Sequence, residues 1–406
     1  TSRLLTRIKT MATAGRKINF AAGPAKLPEE VLLKMQEEQL NFNNLGVSVI
    51  EMSHRSKEFG VLLNETISLI RELMNVPDNF EILFMQGGGT GQFAAIPLNL
   101  KGNHEHADYI VTGAWSSKAA EEAAKYINVK KHADYIVTGA WSSKAAEEAA
   151  KYINVKKVFT PAKPYVTVPD QEKWVHDEKA AYLYYCANET VHGIEFTPKA
   201  PESHEVPLVA DVSSNFMARP FDFKDHGVVF GGAQKNLGAA GLTIVIVRKD
   251  LIGKQQDITP AVFSYKEMIA NNSLYNTPPT GGIYTTNLVL KWIKAKGGLQ
   301  AIYELNLKKS GLIYGIIDDS NGFYHCAVDK RYRSIMNVCF RIGGAAGNEQ
   351  LEETFIKGAA ERNMISLKGH RSVGGIRASL YNAISLEETQ VLATWMLEFQ
   401  KLHSNN

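Results

Sequence analysis

The sequence predicts an α/β fold in two unequal parts: a large domain on a mostly parallel central sheet, residues 18–292, and a smaller α+β C-terminal domain, residues 293–406. Two observations predict it. From Ile18 onward, apolar runs of strand length bounded by Gly, Pro or Asn alternate with longer segments of helical period, the pattern of a buried sheet with helices on its faces. Past about residue 293, long helices alternate instead with isolated strands.

Bulk properties narrow the class. A chain of 406 residues exceeds what one small core organises, and 45% hydrophobic with 21% charged residues is a globular composition. A net charge of +3 without a Lys/Arg run excludes an extended nucleic-acid surface, so anion recognition is expected inside a pocket. No run of about 18 apolar residues occurs, and no membrane helix is expected. Cys186, Cys326 and Cys339 form neither a disulfide framework nor a metal-binding spacing; they point to a reducing, cytoplasmic setting. Residues 1–17, TSRLLTRIKTMATAGRK, contain no acid. They are read as a leader or extension around Met11, with a mitochondrial presequence as the other reading of that composition.

The elements follow in order. The first residues after Ile18 are expected to pack with the small domain, and EEVLLKMQEEQL and SKEFGVLLNETISLIRELM have the periodicity of amphipathic helices. FEILFM is a strand running into Gly87, Gly88, Gly89, Thr90 and Gly91 ahead of a helix, so backbone N–H groups can cradle a phosphate. Without GK[ST] or GxGxxG spacing, the turn is neither a P-loop nor a dinucleotide fingerprint. A repeat comes next: HADYIVTGAWSSKAAEEAAKYINVKK fills residues 106–131 and again, unchanged, residues 132–157. Each copy reads as a strand, a tight turn and an Ala-rich helix, and a compact sheet has one slot for such a unit. Either copy is a candidate for it, as is a hybrid of one copy's strand with the other's helix. Trp115 and its duplicate Trp141 follow the strand, where an indole can stack on a flat ring or pack in the core.

AYLYYC is the next strand, followed by Asn188, Thr190 and His192 in CANETVHG. VPLVADV brings a strand to Asp211, and GVVFGG leads into Gln234 and Lys235 before LTIVIVR. Most lysines are at the surface. A lysine beside small residues at a strand end is instead partly desolvated, which frees its amine for Schiff-base chemistry. Asp211 and Lys235 follow successive strands at one carboxyl edge, where open α/β sheets bind ligands, and a carboxylate there can hold a pyridine nitrogen protonated. His54-Arg55 in MSHRS and His370-Arg371 in GHRS, with Arg377 in GGIRASLYN, are charge-assisted donors suited to phosphate or carboxylate. In the small domain GGLQAIYELNLKKSGLIYGII, EQLEETFIKGAAERN and residues 386–402 are helices; RSIMNVCFRI, ISLKG and GGIRASLYN are its strands.

Together INFAAGPAKLP, MSHRS, CANETVHG, GGAQKNLG, NTPPT and GHRSVGGIRASLYN resemble the phosphoserine aminotransferases, a class V family of the fold-type I pyridoxal-phosphate enzymes. The resemblance runs from Ile18 to the C-terminus apart from the extra copy. It implies pyridoxal 5'-phosphate, with Lys235 as Schiff-base lysine and proton shuttle, Asp211 at the pyridine nitrogen and Thr190 at the ring hydroxyl. Gly89, Thr90 and Gln234 would take the cofactor phosphate, and Trp115 or Trp141 would stack on the ring. A homodimer with shared active sites is implied, in which Asn276 and Thr277 reach the phosphate of the neighbouring subunit. His54, Arg55, His370 and Arg371 match the positions for substrate phosphate and carboxylate, and Arg377 the α-carboxylate anchor; no metal is expected. The implied reaction moves an amino group between L-glutamate and 3-phosphohydroxypyruvate, giving 3-phospho-L-serine and 2-oxoglutarate in L-serine biosynthesis. Two alternatives stand beside it. One is another class V enzyme, such as a glyoxylate-using aminotransferase or a cysteine desulfurase, against which the His-Arg pairs argue. The other is an inactive form disrupted by the duplication.

Overall fold

Strands form where the apolar runs are. The computed structural model describes residues 15–127 and 165–404 except 105, 111, 169, 175–178, 198 and 204. Its first half contains β1 (Ile18–Asn19), α1 (Glu29–Glu38), α2 (Lys57–Met74), β2 (Phe80–Met85), α3 (Gly88–Leu100), β3 (Asp108–Ile110), α4 (Ala114–Ala123), β4 (Leu183–Cys186) and β5 (Asn188–Glu189). Then follow β6 (Ile194–Glu195), β7 (Leu208–Asp211), β8 (His226–Gly232), β9 (Thr243–Arg248), α5 (Tyr265–Ala270) and α6 (Thr280–Ala295). The C-terminal part holds α7 (Gly298–Asp318), β10 (Tyr324–His325), β11 (Asn337–Ile342), α8 (Glu349–Glu361), β12 (Met364–Ile365), β13 (Ile376–Ser379) and α9 (Leu386–His403).

The central sheet has the order β2-β9-β8-β7-β4-β3. β3, β4, β7 and β8 run parallel, and β9 lies antiparallel between β8 and β2. β2 therefore points the same way as the four parallel strands, and all five end at one edge. Successive residues face opposite sides: Ile244 and Ile246 enter one core, Val245 and Val247 the other. α2 and α6 cover the first face through Phe59, Leu62, Ile283 and Val289; α3 and α4 cover the second through Phe93, Ile96, Ala119 and Ala120. Both faces being buried explains why these strands read as continuous apolar runs.

A second, antiparallel sheet of order β10-β11-β13 packs with α8 and α9 around Phe340, Phe355, Trp395 and Phe399. β1 pairs in parallel with β12, Ile18 opposite Met364. This pairing carries the following segment back over the main sheet, where the Ala25 amide donates to the Gln234 carbonyl at 2.9 Å.

Three elements differ from expectation. ISLKG contributes only Ile365 to β12, because Ser366 takes a positive φ of 65° that ends the ladder; Lys368 then makes a single bridge to Ile376. RSIMNVCFRI enters its ladder only at Asn337, because the Ser334 hydroxyl accepts the amides of Met336 and Asn337 and turns the chain first. Among the described residues, the first ADYIVTGA is a strand over Asp108–Ile110. The first copy of the repeat supplies β3 and α4; the second, with Trp141, lies outside the described residues.

Candidate active site

The five strand ends converge on a cavity of about 330 Å³. β2 delivers Gly87–Thr90, the first turn of α4 delivers Trp115, β4 and β5 deliver Cys186 and Thr190, β7 delivers Asp211, and β8 delivers Gln234 and Lys235. Seven residues expected around a cofactor therefore line one space: Gly89, Thr90, Trp115, Thr190, Asp211, Gln234 and Lys235. The Lys235 Nζ donates to Thr190 Oγ1 at 2.8 Å. Gly23 packs directly on this side chain, and an added Cβ there would lie 3.2 Å from Lys235 Cγ. Gly23 also has a φ of +127°, a conformation that suits glycine.

Electrostatics sets the amine and the acid against each other. Burial lowers the Lys235 pKa below its ordinary value of 10.5; Asp211 and Cys186 oppose that shift, and Arg377 adds to it. Burial raises Asp211, while the Ser213 hydroxyl and amide and the charge of Lys235 hold it down. Oδ1 of Asp211 accepts the Ser213 amide at 2.9 Å, and Oδ2 accepts from the Tyr184 hydroxyl at a long 3.4 Å. That weakly held oxygen borders the Gly89 turn, where a Cβ would sit 3.7 Å away. A protonated ring nitrogen suits it, and the amides at the start of α3 suit a phosphate. The residues present fit pyridoxal 5'-phosphate.

A second cavity of about 420 Å³ adjoins the first and is lined by His192, His325, Arg341, His370 and Arg377. Arg377 joins the two, donating from β13 to the Thr190 carbonyl at 3.4 Å. Arg341 is already held by Glu352, at 2.7 and 3.3 Å. Burial pushes His192 down to about 4, and burial with Arg377 and Arg371 lowers His370, so both rings are neutral near pH 7. Among the described residues Arg377 has no carboxylate partner, which suits it to bind a substrate anion.

His54, Arg55, Arg371, Asn276 and Thr277 line neither cavity. Arg55 and Arg371 are exposed. Thr277 lies near the phosphate turn, its carbonyl accepting from Gln86 Nε2 at 3.0 Å. Sequence reasoning missed Gly23, Tyr184, Ser213 and Glu189. Only Glu189 carried a signal, standing between Asn188 and Thr190 in CANETVHG.

Known proteins resemble this chain in sequence and in fold. The family model described as "Aminotransferase class-V" matches residues 18–130 and 117–392, the overlap falling in the duplicated region. A Caenorhabditis elegans protein named probable phosphoserine aminotransferase is 86% identical over 396 residues, 98% of this chain and 100% of the relative. The solved structure of phosphoserine aminotransferase from Bacillus circulans subsp. alkalophilus superposes with a TM-score of 0.84 at 40% identity, covering 96% of this chain and 99% of that one. A pyridoxal-phosphate-bound phosphoserine aminotransferase from Trichomonas vaginalis gives a TM-score of 0.83 at 39% identity over 94% of this chain and 100% of that one. With the Lys235–Asp211 edge in place and matches of this extent, the chain belongs to the phosphoserine aminotransferase family of class V aminotransferases.

Proposed function

We infer that this chain transfers the amino group between L-glutamate and 3-phosphohydroxypyruvate, giving 3-phospho-L-serine and 2-oxoglutarate in L-serine biosynthesis. The observation that carries the reading is the placement of Lys235, Thr190 and Asp211 on one sheet edge that opens, through Arg377, onto a second cavity. Pyridoxal 5'-phosphate, when bound, supplies the carbonyl that takes up the amino group and the ring that spreads negative charge.

The chain's own residues do the rest. Lys235 Nζ, its ammonium form destabilised by burial, takes the α-proton from glutamate and, in the second half of the reaction, gives a proton to the α-carbon of the product 3-phospho-L-serine. Asp211 keeps a negative charge where a ring nitrogen must stay protonated, and Thr190 orients the amine. Arg377 holds the α-carboxylate in a forked grip. His370 adds a neutral ring to the same cavity and, with Arg371, is assigned to the substrate's anionic groups.

A second copy of the chain completes the assignment. His54 and Arg55 follow exposed apolar side chains, Leu45 at 44%, Val47 at 42% and Ile50 at 61% exposure, and Ile50 packs beside Gly281, next to the Asn276–Thr277 segment. Such a patch beside a site is the surface a homodimer covers. We assign His54 and Arg55 to the substrate phosphate, and Asn276 and Thr277 to the cofactor phosphate, of the partner's site. The cytoplasm is the compartment we assign, on three unpaired cysteines.

Purified protein supplied with pyridoxal phosphate is expected to turn yellow and to consume 3-phosphohydroxypyruvate only when glutamate is present. Faster turnover of glyoxylate would move the assignment to another class V activity.

A further inference from the structure

We propose that Glu189 is the positioning residue for Trp115, a carboxylate latch on the first turn of α4. Glu189 ends β5 and is fully buried. Its Oε1 accepts from the Ser116 hydroxyl at 2.6 Å and from the Ser116 amide at 3.3 Å, and the Trp115 amide also faces the carboxylate. The Ser116 oxygen in turn accepts the amides of Thr112 and Gly113, at 3.0 and 3.1 Å. This hydroxyl therefore links the turn, the helix and the acid. The approach depends on glycine at 113, because an added Cβ would collide with the Glu189 carboxyl group.

A helix start leaves amides without intrahelical partners and favours negative charge. Here the acid comes from a different strand, so it ties α4 to the sheet edge rather than merely ending a helix. Glu189 also precedes Thr190, whose hydroxyl receives the Lys235 amine. One dipeptide thus sets both the amine and the indole that border the same cavity. Glu189 itself does not line that cavity, and its effect passes through Trp115.

The proposal rests on pyridoxal phosphate binding in this cavity. Its test is a cycle of pyridoxal phosphate dissociation constants, measured by equilibrium dialysis on the full chain, for the wild type, Glu189→Ala, Trp115→Phe and the double variant. Each single change is expected to weaken binding about tenfold, the order of a lost helix cap or stacking contact. The double variant is expected to match Trp115→Phe alone, and Glu189→Gln, which keeps an acceptor for Ser116, to stay within about twofold of wild type. Multiplicative losses, or no loss in Glu189→Ala, would overturn the latch. If Glu189→Ala does not fold, Ser116→Ala removes the other half of the contact and runs the same cycle with the same expected and overturning results. A wild-type chain that binds no pyridoxal phosphate would refute the functional reading itself; multiplicative losses in a chain that binds it refute only the role of Glu189.

Discussion

Lys235 and Asp211 have opposite needs in one low-dielectric space. In the proposed reaction the lysine must lose its proton to act, and the carboxylate nearby favours keeping it. Folding lowers the Lys235 value below 10.5, so the neutral amine grows as pH rises through that lowered value, and the rate at which the cofactor-free chain forms its Schiff base with added pyridoxal phosphate is expected to rise with it. Asp211→Asn keeps the shape and removes the opposing charge. In that variant the rising limb should move to lower pH, while kcat itself falls by at least about a hundredfold as the ring nitrogen loses its counter-charge. A pH profile in wild type and variant checks both. An inflection that stays in place or moves upward would mean that Asp211 does not govern the amine. The sequence made this pair legible because both residues follow apolar strands, and strand ends are recognisable. The weakly bonded Oδ2 and the Gly23 contact were invisible, since each depends on segments far apart in the chain coming together.

At the scale of elements, legibility followed burial. The six strands of the central sheet were readable because both faces are covered, and α9 began at Leu386 as expected because its start signal is local. The Ser385 hydroxyl accepts the Glu388 amide at 3.1 Å, and the Glu388 carboxylate accepts the Ser385 amide at 3.0 Å. Such a reciprocal cap is written within four neighbouring residues. Ser385→Ala is expected to lower stability by about 1 kcal/mol, measured by denaturant unfolding; a loss under about 0.3 kcal/mol would mean that α9 is held by its packing alone. The strand in ISLKG was not legible beyond its start, because the positive φ at Ser366 answers to the tertiary path rather than to its neighbours. α4 shows the same limit. Its Ser116 lies inside the first turn, not at the cap, and its partner Glu189 stands on a distant strand.

For the whole molecule, the duplicated segment and the proposed partner subunit pose separate questions. Because the copies are identical, removing residues 106–131 or residues 132–157 yields one and the same chain. That excision shortens the connection between Ile127 and Tyr165, and closure entropy changes by only about 0.6 kcal/mol per doubling of length. The shortened protein is therefore expected to unfold within about 1 kcal/mol of the full chain and to bind pyridoxal phosphate equally well; loss of binding would mean that the second copy completes the site. The partner's role is tested by mixing two inactive proteins, Lys235→Ala and Arg55→Ala, under conditions that let subunits exchange. If Arg55 serves the partner's site, each mixed dimer has one site with both changes and one site with neither. Random assortment then restores about a quarter of wild-type activity. If Arg55 serves its own subunit, every site carries one lesion and mixing restores nothing. The result separates a shared site from a self-contained one without any need to see the dimer, and it decides whether the exposed arginine is part of the catalytic apparatus or of the surface.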